Sequence, residues 1–280
     1  MDSPQLVRVA IQCALPKEAA PIVKAMDHAS SQSMLGNQLT EGTYQGIDLT
    51  VCVGGMGVAN AAATAQFLID RYQPQALIFS GIAGSINPGL SVGDILVGAE
   101  QHYAETNTAI IAECPPYQEF FPADSRLLEL VVTAAQEAGL KRIPSVRELL
   151  ESGSWSGVVD PGRLGAAGDL AAVSDRADRE GADRRHYLLG SLSTSDRFNT
   201  DPEVLQELVE RFAADGEAME EAAAAQICGK CQVPFLCIRG ISNPCGQSYE
   251  ELNDQEDKST LAADEAGRLT LGVLRKLAAQ

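Results

Sequence analysis

No stretch of this chain approaches the ~20 successive apolar residues that a bilayer-spanning helix needs. The opening residues, MDSPQLVRVAIQCALPKEA, lack a basic segment followed by a long apolar core and a small-residue cleavage site. A cytoplasmic location is therefore expected. Positive charge is also scarce, with 21 Lys and Arg against 38 Asp and Glu, a net charge of −17. A surface of that sign does not hold a nucleic-acid backbone or an anionic membrane without help, so neither is an expected partner. The pair Cys228 and Cys231, in CGKC, has no second CxxC or CxxH to complete a zinc site. It reads as structural thiols, and Cys13, Cys52 and Cys237 read as small thiols buried in apolar sequence. Neither a metal nor an organic cofactor is expected.

What is present suits a folded enzyme-sized chain. Of 280 residues, 45% are hydrophobic and 21% charged, enough apolar material for a core and too little charge for disorder. Short apolar runs the length of strands buried on both faces occur at Val7–Ala14, Ala76–Ser80, Val92–Val97, Tyr187–Leu192 and Val233–Ile238. Leu39–Val53 holds two more, folded as a hairpin around Gln45 and Gly46. Helices are predicted from Pro16, from the Gly54–Asn60 turn to about Tyr72, over Pro122–Gly139 and over Glu203–Ala213. Two more are predicted over Met219–Cys228 and over Leu261–Ala279. Strands alternating with helices predict a single α/β domain over residues 1–280, with helices on both sides of a central sheet. Residues 142–186, rich in Gly, Ala, Ser, Asp and Arg, read as a loop-rich insertion with short helices.

Polar or glycine-rich tips follow the strands, where open α/β sheets place their ligands. Glu18 stands in the first turn of a helix just past a strand. By position it is either a helix-dipole acid or a site residue. Gly54–Asn60, GGMGVAN, is a strand–turn–helix cradle or simply a tight turn. It is not a Walker loop, for no GK[ST] ends it. Gly81–Ser85 reads as a second glycine turn. Ser195–Phe198 and Ser242–Asn243 are further tips. The stretch Glu217–Asn243, EAMEEAAAAQICGKCQVPFLCIRGISN, brings an acid, a small-residue helix, a buried strand and a polar tip together.

The ordered set ALPKEA, GGMGVANAA, SGIAGSINPGLSVGDILV, AMEEAAAAQIC and VPFLCIRGISN resembles the nucleoside phosphorylase/nucleosidase superfamily. The resemblance covers most of residues 7–110 and 187–250, and is nearest to methylthioadenosine/S-adenosylhomocysteine nucleosidase and futalosine hydrolase. It implies a three-layer α/β/α domain around a mixed, barrel-like sheet, a homo-oligomer, and cleavage of the bond between a purine and ribose C1′. Glu18 matches the glutamate that activates water. Met219 and Glu220 match the ribose-binding pair, and Phe198 the aromatic that stacks on the purine, with a core role as its alternative. Ser242 and Asn243 match the base-recognition tip. Gly57, Ile82, Ala83 and Gly84 lie where the backbone approaches sugar and base.

Two departures from that family sharpen the expectation. Many members have Asp where this chain has Asn243. An amide cannot act as a general acid, but it can donate to a 6-oxo group and accept from a ring N–H. This favours a 6-oxopurine of the futalosine type over methylthioadenosine or S-adenosylhomocysteine. The arginines that hold phosphate in the phosphorylases have no counterpart in ALPKEA or LIFSGIAG, which favours water over phosphate as nucleophile. Ala218 stands where an acid often precedes Met-Glu, with Glu217 one position earlier. Asn243 and Ala218 together also leave open a catalytically silent, nucleoside-binding relative.

Overall fold

The computed structural model describes residues 7–155, 185–248, 250–251 and 255–280. Eleven strands of these residues join in one sheet. They are β1 (Arg8–Cys13), β2 (Asp27–Met34), β3 (Asn37–Tyr44), β4 (Ile47–Val53), β5 (Ala76–Ser85) and β6 (Ile95–Tyr103), then β7 (Phe121–Pro122), β8 (Lys141–Arg142), β9 (His186–Thr194), β10 (Ala214–Ala218) and β11 (Phe235–Pro244). The helices are α1 (Pro16–Ala25), α2 (Val58–Tyr72), α3 (Thr108–Ile111), α4 (Ser125–Glu137), α5 (Val146–Glu151), α6 (Pro202–Phe212), α7 (Glu221–Cys231) and α8 (Glu256–Ala278).

The strand order is β10-β9-β6-β11-β5-β1-β4-β3-β2, with β7 on β6 and β8 on β9. The sheet is mixed: β11 runs parallel to β5 and antiparallel to β6. β10 also pairs with β5, so β5, β11, β6, β9 and β10 form a closed circuit of hydrogen-bonded neighbours.

Alternation along the central strands builds two cores. Val9 and Ile11 of β1, Ile78 of β5 and Ile238 of β11 face one side, against Ile22 of α1, Val131 of α4 and Val273 of α8. Ala10, Leu77, Phe79 and Cys237 face the other, against Ala61, Ala65 and Leu68 of α2 and Ala222–Ala225 of α7. A sheet buried on both faces must carry helices on both, which gives the α/β/α layering expected from the runs. Each fully buried Leu or Ile contributes about 1.5–3 kcal/mol of transfer free energy, so the strand interiors supply much of the stability. The small side chains of α7 let it approach the sheet closely.

Four expectations need correction. Gly81–Ser85 is not a turn but the continuation of β5. Ser242–Asn243 is not a tip beyond its strand but part of β11, paired with β5 through Asn243. The helix expected from Met219 starts at Glu221 and follows a strand, Ala214–Ala218. The strand expected over Val92–Val97 begins at Ile95 and runs on to Tyr103. Of the expected insertion at 142–186, residues 156–184 lie outside the described residues. The part before them holds α5.

Candidate active site

At the carboxyl end of β1 the chain turns at Leu15 into α1, with Pro16 at the first helical position where its missing N–H costs nothing. Glu18, three residues beyond Leu15, folds back over the helix start. Its Oε2 accepts from the backbone N–H groups of Ala14 and Leu15, both at 2.8 Å. Its Oε1 accepts from Ile82 N at 2.9 Å, so the carboxylate ties α1 to β5. Glu18 is only 2% exposed. Burial raises its pKa above the ordinary value. Arg239 opposes that shift, Glu220 adds to it, and the hydrogen bonds from Leu15 and Ile82 also oppose it.

Glu220 lies between β10 and α7. Its Oε1 accepts from Gly57 N at 3.0 Å, and Asp196 Oδ1 accepts from the neighbouring Val58 N at 2.8 Å. Two carboxylates from distant segments therefore meet the N-terminus of α2, where free N–H groups and the helix dipole favour negative charge. Gly57 has φ 94°, a left-handed conformation that suits glycine, and this presents its N–H to Glu220.

Arg239 of β11 stands behind both acids. Its Nη2 donates to Glu220 Oε2 at 2.9 Å and to Glu221 Oε2 at 2.8 Å. Its Nη1 donates to the Ile82 carbonyl and lies 4.0 Å from Glu18 Oε1. The guanidinium sits over the Phe79 ring, 4.3 Å from its centroid. Burial works against this cation, but the three carboxylates outweigh it and hold its pKa well above the usual range. Gly81 makes room for the assembly. A Cβ there would lie 2.5 Å from Arg239 Nη1 and 2.7 Å from Glu18 Oε1.

A cavity of about 410 Å³ opens over these groups. It is lined by Glu18, Ile82, Ala83, Gly84, Phe198, Met219, Glu220, Ser242 and Asn243, nine of the ten residues singled out in the sequence. The tenth, Gly57, reaches it through its hydrogen bond to Glu220. Phe198 is 42% exposed on the cavity wall, which rules out the core role. Asn243 is buried, its Oδ1 accepts from Ser242 Oγ at 2.7 Å, and its Nδ2 donates to the Pro244 carbonyl at 2.8 Å. One amide N–H of Asn243 thus remains for a ligand.

Sequence reading assigned no role in the site to Arg239, Glu221, Glu217 or Asn199. The signal for Arg239 was a charge inside an apolar strand, which demands buried acids, and Glu220–Glu221 is the acidic pair that answers it. Glu217 projects from β10 into the cavity and accepts a hydrogen bond from Asn199 Nδ2. Among the described residues, no cluster of His, Cys, Asp and Glu has the arrangement of a metal site. No helix among them is long and apolar enough to cross a membrane.

A mixed sheet between helical layers, with carboxylates gathered around one arginine under a cavity at its strand ends, defines an α/β enzyme. The chain belongs to the phosphorylase superfamily, whose profile matches residues 8–275. It is 23% identical over 276 residues to a 5′-methylthioadenosine/S-adenosylhomocysteine nucleosidase of Bacillus subtilis, covering 97% of this chain and 100% of that protein. The corresponding protein of Shewanella sediminis is 27% identical over 242 residues, covering 85% and 86%. Among solved structures, the Neisseria meningitidis nucleosidase of that name superposes with a TM-score of 0.75 at 20% identity, covering 97% and 100% of the two chains. Futalosine hydrolase of Helicobacter pylori superposes with a TM-score of 0.74 at 20% identity, covering 98% and 100%.

Proposed function

We propose that this chain is a purine nucleoside N-ribohydrolase that cleaves the N-glycosidic bond with water. The observation that carries the reading is the union of Glu18 and Glu220 in one cavity with Asn243 and Phe198. Breaking the bond between C1′ and the base leaves an oxocarbenium-like sugar and an electron-rich purine. Glu18, fixed by three backbone N–H groups, takes the proton of the attacking water in its carboxylate form. Glu220 accepts from the ribose hydroxyls, and its charge stabilises the cationic sugar. Met219, Ile82, Ala83 and Gly84 shape the wall against sugar and base. Phe198 stacks on the purine, and Asn243, oriented by Ser242, donates to it.

Water is the favoured nucleophile because ALPKEA and LIFSGIAG carry no arginine for phosphate, and Arg239, the buried cation beneath the cavity, is committed to three carboxylates. The free N–H of Asn243 suits a 6-oxopurine of the futalosine type. The second reading, methylthioadenosine or S-adenosylhomocysteine as substrate, is favoured by the names of the relatives. One panel decides between them: purine release from futalosine, inosine, adenosine, methylthioadenosine and S-adenosylhomocysteine, with and without phosphate. Free ribose sugar as product supports hydrolysis, and a sugar 1-phosphate would replace it with phosphorolysis. Glu18→Gln and Asn243→Ala should both abolish release, and wild-type turnover by both would sink these roles. Tight purine binding with no release under any condition would mark a silent relative.

A further inference from the structure

The cavity has two poles. Glu18, Glu220 and Arg239 form one. Asn243, Phe198, Asn199 and Glu217 form the other, and there β5 carries Gly84, with no side chain. Gly84 pairs with Glu217 of β10 on one side and with Asn243 of β11 on the other. Paired residues on neighbouring strands send their side chains to the same face of a sheet. The Cβ that Gly84 lacks would point at Asn243 Nδ2, 3.5 Å away, and at Cys245 Sγ, 2.7 Å away. Glu217 and Asn243 thus flank a bare glycine on one face, two strand spacings or ~10 Å apart along the sheet. That separation spans a flat heterocycle. Asn199, which holds Glu217 Oε1, follows directly on Phe198, so Glu217 is anchored to the segment that carries the aromatic wall.

A departing purine needs a proton, and the amide of Asn243 cannot give one up. We propose that Glu217 is a catalytic residue, the acid that protonates the purine as it leaves, in the part Asn243 cannot play. This rests on the nucleoside-cleaving reading above and adds its missing acid. In the step, the C1′–N9 electron pair passes to the purine while a ring nitrogen takes the proton from Glu217. Water bonds to C1′ and gives its proton to Glu18. Glu217 is left as a carboxylate and Glu18 as the acid; Glu217 regains a proton from solvent and Glu18 releases one to it, which restores both. Its surroundings keep it protonated at neutral pH: burial pushes its pKa up to about 8, against the Asn199 hydrogen bond and with the charges of Glu105 and Glu221 adding to the rise. Of the groups that face it, Asn199 does not titrate, and burial holds the Cys245 thiol well above its ordinary range.

The test is the pH dependence of kcat/KM, from pH 6 to 10, for whichever nucleoside the panel shows to be cleaved best. The wild type should lose activity about tenfold per pH unit above pH ~8, because the acid form is the active one. Glu217→Gln keeps the shape and a hydrogen-bond donor but has no proton to transfer. It should lower kcat about 100-fold or more, leave KM within about threefold, and erase the alkaline limb. A lower melting temperature with kcat and the limb intact would show a merely structural glutamate and overturn the proposal. Should Glu217→Gln not fold, the wild-type profile decides, and a flat line from pH 7 to 10 overturns it. No purine release by the wild type from any nucleoside would overturn the underlying reading and this one with it. Release by the wild type with an unchanged variant would overturn this one alone.

Discussion

Arg239 Nη2 donates to Glu221 Oε2 at 2.8 Å, deep in the core, and the same nitrogen holds Glu220 at 2.9 Å. Glu221 is fully buried, and among the described residues its second oxygen has no hydrogen-bond partner. One cation therefore answers for Glu18, Glu220 and Glu221. Removing it leaves buried acids without a counter-charge, which typically costs 3–5 kcal/mol. Arg239→Met should lower the stability by about that amount in urea unfolding. Glu221→Gln in the Arg239→Met background should recover part of it, since one fewer buried charge is then left unpaired. Equal stability of the single and double variants would show that Glu221 is neutral in the folded protein.

Gly81→Ala tests how tightly the acid and the arginine are fitted. The new methyl would stand at 2.5 Å from Arg239 Nη1 and 2.7 Å from Glu18 Oε1, distances no real Cβ adopts. Both groups belong to a buried ionic lattice, so neither swings away freely. Overpacking of this kind costs about 1–3 kcal/mol. The expected outcome is a lower melting temperature together with a kcat reduced at least about tenfold, because a displacement near 1 Å at a reacting group is costly. Unchanged kcat would show that Glu18 need not hold its present position.

The acid limb of activity should belong to Glu18. As a general base it works only when ionised, so activity falls as the pH drops through its pKa. Burial raises that pKa above the ordinary 4.5, and the charge of Glu220 raises it further. Glu220→Gln removes the second contribution. The residual kcat/KM of this variant should therefore hold to lower pH than that of the wild type. A limb that does not move on Glu220→Gln would have to be assigned to another group.

Most of the fold was legible because β1, β4, β5, β9 and β11 carry apolar runs that declare a buried sheet, and α2, α4 and α6 carry periodic faces. β2, DHASSQSM, was not legible: it is an almost wholly exposed edge strand with no apolar alternation. Nor was β10, ADGEA, which has no β-branched or aromatic residue. Its pairing with β9 and with Gly84 and Ser85 of β5 fixes it, so tertiary context overrides propensity. The delayed start of α7 has the same origin. Glu220 is tied to Gly57 and Arg239 and takes φ −134°, outside the helix. At the cavity, the ends of the runs pointed to Glu18 and Asn243. Arg239 and Glu217 were opaque because their neighbours come from remote strands. Gly81 and Gly84 misled, since their role is to let side chains pass over β5 rather than to turn it.

Asp215 of β10 offers a stability prediction away from the cavity. Its Oδ1 accepts from Asn87 Nδ2 at 2.8 Å and from Val146 N at 2.7 Å, and its Oδ2 from Ser191 N at 3.0 Å. Burial nevertheless wins over these hydrogen bonds and pushes its pKa from 3.8 to about 6. A folded pKa above the unfolded one means that folding favours the protonated form. The stabilisation is fully present below pH ~4 and is lost as the pH rises through about 6. A shift of about two pKa units corresponds to about 3 kcal/mol over that window. Asp215→Asn removes the titration. The stability of the wild type minus that of Asp215→Asn, from urea unfolding, should therefore fall by about 3 kcal/mol between pH 4 and pH 7 and stay level above it. A difference independent of pH would mean that the three donors keep Asp215 ionised over the whole window, so that β10 is anchored by a carboxylate even at pH 4 and not by a carboxylic acid there.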